Sequence, residues 1–201
     1  MQVIESAAAT DSPRERILAA ARSIFLDGPP EQATMDAVAQ RAGMSKKTIY
    51  REFKSQVELL GALLIENVAD MGEFPPPTAE ADIERELYEM LVRMVTHFTS
   101  RRSMALARLI ISEVRRYPEL INASRPKGFP REVLARWLSS PVMQAKYQID
   151  DPIEASAMLI GMVMQDAGFR LLLANNDVLS PSLIEARAQR AVSIFLRGVR
   201  R

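Results

Sequence analysis

The sequence predicts an all-α protein: an N-terminal three-helix domain followed by a larger helical domain. Three observations predict it. Apolar residues recur three and four positions apart along most of the 201 residues, and no sustained period-two alternation interrupts them. Helix starts are marked by a Ser, Thr or Asp followed by Pro, by Glu three residues on, or by both. Clusters of Gly and Pro, above all Gly28-Pro29-Pro30 and Pro75-Pro76-Pro77, separate the periodic segments.

Residues 1–12 carry no helical pattern and read as a disordered lead-in. Ser12-Pro13-Arg14-Glu15 is a capping box that opens a first helix over about 13–26. Ile17, Leu18, Ala21, Ile24 and Phe25 form its apolar face, and Gly28-Pro29-Pro30 ends it. Thr34 caps a second helix over about 35–42, and Ser45 a third over about 46–53. Ser55-Gln56-Val57-Glu58 is a capping box for a fourth, which reaches about Met71. After the triple proline, helices are predicted over about 80–100 and 103–116. Pro118, Pro126, Pro130 and Pro141 then break a less regular region that holds one helix near 130–139. Asp151-Pro152-Ile153-Glu154 opens a long helix over 152–174, and Ser180-Pro181 opens the last, over 181–198. The domains are drawn at 13–60 and 61–201.

Composition excludes several classes. With 48% apolar residues the chain can build a core. There is no Cys and a single His, so disulfide frameworks, thiolate sites and His-cluster metal sites are excluded; no metal and no cofactor is expected. No apolar run approaches the roughly 20 residues of a membrane span, and MQVIESAAATDS does not read as a signal peptide. A cytoplasmic protein without a membrane partner is expected. The net charge of +1 requires any nucleic-acid surface to be a local patch.

Such a patch lies between Arg41 and Lys54, where five basic residues face one acid, Glu52. Only Gly43-Met44-Ser45 joins helices two and three, and a corner so tight calls for a residue that accepts φ > 0. Ala39 is small where two helices cross, and Ile49 points back at helix one. This spacing describes a helix-turn-helix. The turn exposes the start of helix three, ringed with Lys46, Lys47, Thr48, Tyr50 and Arg51, at the width that fits a DNA major groove. The candidate DNA-binding residues are Thr34, Met35, Gly43, Met44, Ser45, Lys46, Lys47, Thr48, Tyr50, Arg51 and Lys54. The alternative is a solvated helix face with incidental lysines.

Three segments carry a resemblance. Arg16-Ile17-Leu18-x-Ala20-Ala21-x-x-x-Phe25, Thr34-Met35-Asp36-Ala37-Val38-Ala39 and Ala42-Gly43-Met44-Ser45-x-x-Thr48-Ile49-Tyr50-x-x-Phe53 together resemble the N-terminal domain of the tetracycline-repressor (TetR) family. The resemblance covers about 14–60. It implies a homodimeric transcription regulator, usually a repressor, bound to a palindromic double-stranded operator and released by a small organic effector held in the C-terminal domain. It also implies Thr34 and Tyr50 on phosphates, with Lys46, Lys47 and Thr48 at or near bases. Two positions depart from it: Lys47 stands where many members have Gly, and Gln56 where many have Lys. The second departure removes a usual phosphate contact, which Lys54 could supply.

Past residue 60 the resemblance thins to Leu109-Ile110-Ile111-Ser112-Glu113 and Arg116-Tyr117-Pro118-Glu119-Leu120. The segment 152–174 is apolar nearly all round, so it is buried on several sides. With 181–198 it forms either a core within one protomer or a four-helix seam between two copies. The periodicity allows both, and the resemblance implies the seam. Its candidate residues are Ala157, Gly161, Met164, Leu172, Ile184, Ala188, Ala191 and Phe195. For an effector pocket the candidates are Met90, Met94, His97, Phe98, Met104, Ile110, Glu113, Trp137, Gln165 and Phe169, since methionine adapts to irregular ligands. The same methionines would serve equally as core filler. Against the regulator stand a helical-scaffold enzyme and a protein-interaction module without DNA binding. No nucleophile motif, phosphate-cradling loop or metal spacing favours the enzyme.

Overall fold

The computed structural model describes residues 12–26, 34–120, 129–173 and 179–200. The expected lead-in and the Gly28-Pro29-Pro30 stop lie outside them. Two compact units are present, one up to Leu63 and the other from Leu64 on.

The first unit holds α1 (Pro13–Phe25), α2 (Met35–Ala42), α3 (Lys46–Glu52) and the start of α4 (Gln56–Ala69). The α1 capping box forms: the Glu15 N–H donates to Ser12 Oγ at 3.2 Å, and the Ser12 N–H to Glu15 Oε2 at 2.6 Å. Ile17, Ala21, Val38, Ile49, Phe53, Leu59 and Leu60 make a fully buried centre, with α1 laid across α2 and α3. Ser55 Oγ accepts from the Glu58 N–H at 3.2 Å, but the Glu58 carboxylate reaches the Lys54 N–H at 2.8 Å, one residue upstream of the expected partner.

The second unit holds α5 (Ile83–Phe98), α6 (Arg101–Glu113), α7 (Pro130–Leu138), α8 (Pro141–Lys146), α9 (Pro152–Met164), α10 (Ala167–Leu173) and α11 (Pro181–Gly198). The central helix, α9, packs on α5, α7 and α11, while α10 packs on α6. Leu87, Leu91, Met94, Leu134, Leu159, Ala188 and Val192 lie in one buried cluster. At the bottom of this unit an isolated bridge ties Tyr147 to Arg200.

Two elements differ from expectation. A short helix, α8, stands where Pro141 was read as a break. Ser140 caps it, its hydroxyl accepting from the Met143 N–H, and Pro141 occupies the first turn, where its missing donor costs nothing. The segment read as one helix over 152–174 is two, bent by 61°. Gln165 takes φ 48° and ψ −128° at the break. Arg187 Nη1 donates to the Val163 and Met164 carbonyls, both at 3.3 Å, and so satisfies α9 carbonyls that the break leaves open. Among the described residues, no single helix is long and apolar enough to cross a membrane.

Candidate nucleic-acid interface

The turn between α2 and α3 is built from backbone bonds around Gly43. Gly43 has φ 64° and ψ 38°, its N–H donates to the Gln40 carbonyl at 3.2 Å, and the Met44 N–H donates to the Ala39 carbonyl at 3.0 Å. This is a Schellman closure, which needs a left-handed residue where Gly43 stands. Arg16 Nη2 donates to the Ala42 carbonyl at 3.0 Å and fastens the turn to α1. Ser45 Oγ then accepts from the Thr48 N–H at 3.1 Å, and the Ser45 and Thr48 hydroxyls are hydrogen-bonded to each other at 2.9 Å. Ile49 and Phe53 are completely buried, so the opposite side of α3 must face out. That side carries Lys46, Lys47, Tyr50, Arg51 and, just past the helix, Lys54, all exposed. The Arg14 guanidinium lies 4.2 Å from the Phe53 ring centroid and donates to the Glu52 carbonyl at 3.3 Å, which holds the end of α3 against α1.

Thr34 is exposed, and its hydroxyl already accepts from the Ala37 N–H at 3.2 Å. Gly43 and Ser45 are exposed and Met44 half-buried, so the turn itself borders the basic face. Met35 does not belong to that face: it is 7% exposed, and its side chain lies in the core of the three-helix unit. Sequence reasoning missed Asp36. Its carboxylate accepts from Lys46 Nζ at 2.6 Å, across the turn. Ten positions separate the two, and only the geometry of the turn brings them together.

A three-helix unit with a left-handed glycine turn and an outward basic third helix is what the family comparisons match. Residues 17–63 match the model for bacterial regulatory proteins of the tetR family, and residues 85–198 match that for the C-terminal domain of AefR-like transcriptional repressors. The chain belongs to the TetR family. Among relatives, the transcriptional regulator SrpR of Pseudomonas putida is 28% identical over 108 residues, which are 53% of this chain and 49% of SrpR; the chain thus matches about half the length of that relative. Among solved structures, a TetR-family regulator from Mesorhizobium loti superimposes with a TM-score of 0.77 at 23% identity, covering 94% of this chain and 97% of that one. The flavonoid-responsive regulator FrrA does so with a TM-score of 0.73 at 26% identity, over 94% and 97%. These relatives are transcriptional regulators, and the enzyme alternative is set aside on that ground.

In the second unit of this TetR-family chain, the pocket candidates do not converge. Met90, Met94 and Trp137 lie in the buried cluster, with Phe98 packed at its edge. His97 Nε2 is bonded to the Asn67 carbonyl at 2.6 Å and its ring meets Phe98 edge-on at 5.1 Å. Met104, Ile110 and Glu113 are half-buried on α6. Gln165 sits at the break, and Phe169 is 69% exposed because the bend turns α10 away from the α9 core. Only Met90 and Trp137 border the same described hollow, about 520 Å³, together with Phe74, Pro75, Glu86 and Arg93. Arg93 stacks 3.7 Å from the Phe74 ring centroid and donates to the Glu73 carbonyl at 2.6 Å, which closes one side of it. No group of three or more His, Cys, Asp or Glu able to hold a metal occurs among the described residues.

The seam candidates divide in two. Ile184, Ala188, Ala191 and Phe195 are buried in the protomer's own core cluster. Gly161 is exposed with open space around it, and Ala157, Met164 and Leu172 are half-buried. The large apolar side chains that α9 and α11 leave exposed are Ile153, Met158, Leu183 and Ile194.

Proposed function

We propose that the chain acts as a homodimeric transcriptional repressor that reads a two-fold-symmetric operator through α3. The observation that carries this is the outward face of α3, fixed by the Gly43 turn and the buried Ile49 and Phe53, which sets Lys46, Lys47, Tyr50 and Arg51 side by side on one surface. A helix presenting such a face enters the major groove with its side chains at base edges. Lys46, Lys47 and Thr48 take the base-reading role. Thr34, Tyr50, Arg51 and Lys54 hold phosphates, with the Gly43-Met44-Ser45 turn against the backbone. The match of the second unit to a repressor C-terminal domain supports repression.

The dimer seam uses the uncovered faces of α9 and α11: Met158 and Gly161 on one, Leu183 and Ile194 on the other. A two-fold seam there gives each operator half-site one recognition helix. The effector is a small, mainly apolar organic molecule. The hollow beside Met90 and Trp137 is its most suitable place, walled by Phe74 and Pro75 and edged with Glu86 and Arg93. It must bind the released arrangement more tightly than the operator-bound one, so DNA and effector weaken each other reciprocally. A DNA-bound role of this kind places the protein in the compartment that holds the chromosome.

Selection of bound sequences from random duplex DNA, repeated with candidate molecules, tests the reading. Recovery of a symmetric sequence bound with steep salt dependence is expected. Binding that ignores salt, or no enrichment at all, refutes it.

A further inference from the structure

The basic face carries an acid that holds one of its cations. Asp36 lies in the first turn of α2, two residues after Thr34, and its carboxylate takes the Lys46 amine at 2.6 Å. The two side chains are 61% and 65% exposed, so the pair stands on the surface that meets DNA in the reading above. Arg51 pairs with Glu52 of its own helix at 3.2 Å. Lys47 and Lys54 enter no ion pair among the described residues. Asp36 therefore engages the first residue of α3 and leaves its neighbour Lys47 unpaired.

An ion pair this exposed is weak, and a better acceptor can displace it. Phosphate is a poor competitor. It meets an amine already neutralised and a carboxylate of its own sign, at every sequence alike. Non-specific binding is a sum of phosphate contacts and released counterions, so the pair subtracts from it everywhere. A base-edge acceptor such as guanine O6 or N7 has no net charge for Asp36 to repel, and it is found only where the sequence supplies it.

We infer that Asp36 is a specificity-determining residue: it withholds Lys46 from phosphates and yields it to a base edge, lowering non-specific affinity in exchange for discrimination. This rests on the DNA-binding reading proposed above.

The test compares the wild-type chain with Asp36→Asn, Lys46→Ala and the double variant. Each is titrated by fluorescence anisotropy over a salt series, on the selected operator and on a duplex of the same composition in scrambled order. Asp36→Asn keeps size and removes charge. It should tighten binding to the scrambled duplex roughly three- to tenfold and steepen the salt slope there by about 0.9, one further phosphate contact. Operator affinity should rise less, so the ratio between the two duplexes falls. With Lys46 already replaced, Asp36→Asn should leave the slope unchanged. An equal gain on both duplexes, the same gain without Lys46, or no gain overturns the proposal. Wild-type protein that binds neither duplex in a salt-dependent way overturns the DNA-binding reading itself, an outcome separable from the others because it precedes any variant. Asp36→Ser, likewise uncharged, should repeat the Asn result and guards against a fault particular to one side chain.

Discussion

Gly43 offers a prediction that can be worked from geometry. A Cβ built there would find only the tip of Arg16, Nη2 at 3.9 Å, so replacing Gly43 by Ala meets no clash. What remains is backbone strain. At φ 64° an L-residue loses roughly 1–2 kcal/mol against the right-handed region, and the narrower unfolded ensemble of Ala returns about 0.4–1 kcal/mol of that. Gly43→Ala should therefore destabilise the first unit by about 1 kcal/mol, about a fivefold rise in its opening constant. Asn tolerates the left-handed region, and Gly43→Asn should cost clearly less. Hydrogen exchange reads the difference locally. The Met44 amide, bonded to the Ala39 carbonyl, and the Phe53 amide, bonded to the Ile49 carbonyl, should exchange faster in Gly43→Ala. Amides of α5 in the second unit should not change. If Ala and Asn prove equally harmful, or Ala has no effect, positive φ is not the reason a glycine stands there.

Further outcomes follow from other contacts. Tyr50→Phe should weaken binding to all duplexes about equally, and Lys54→Ala should lower the salt slope by about 1, both measured by anisotropy. Gly161→Glu, at an exposed position with open space, should leave the helical spectrum intact and shift sedimentation to monomer. Ala188→Glu, which puts a carboxylate in the sealed core, should prevent the second unit from folding. Gln165→Gly removes the strained positive φ and should raise the calorimetric stability of the second unit by about 1 kcal/mol. The Glu15 carboxyl is held below its ordinary range by hydrogen bonds from Ser12, the backbone N–H first and the hydroxyl second. Its folded-state value thus lies below the unfolded one, so the cap contributes fully above the unfolded value and is lost as pH falls through the folded one. An amide titration of Ser12 should show the cap opening only on the acid side.

What could be read from the sequence was local. Thr34, Ser45 and Gly43 act within four residues of themselves, so their types announce the caps and the turn before any fold is known. Ile49 and Phe53 fix which side of α3 turns outward for the same reason. The Lys46–Asp36 pair could not be read, because it depends on the angle at which two helices leave the turn. Nor could the seam. Ile184 and Ile194 are the same side chain on the same helix, and packing buries the first and leaves the second exposed. The break at Gln165 carries no proline, and its nearest glycine, Gly168, comes three residues too late. The carbonyls it frees are met by Arg187, whose guanidinium reaches α9 from another helix.

The chain contains one tryptophan, Trp137, and α7 buries it to 4% exposure in the second unit. Its emission is therefore a one-sided reporter. A spectral shift on warming dates the loss of packing in the second unit, where Trp137 is buried. The same burial makes it a meter of communication. Since no indole stands on the basic face, a change in Trp137 emission when duplex DNA is added reports on the second unit. An unlabelled cuvette experiment can thus record how much of the binding event the second unit feels, with no dye attached and no residue replaced.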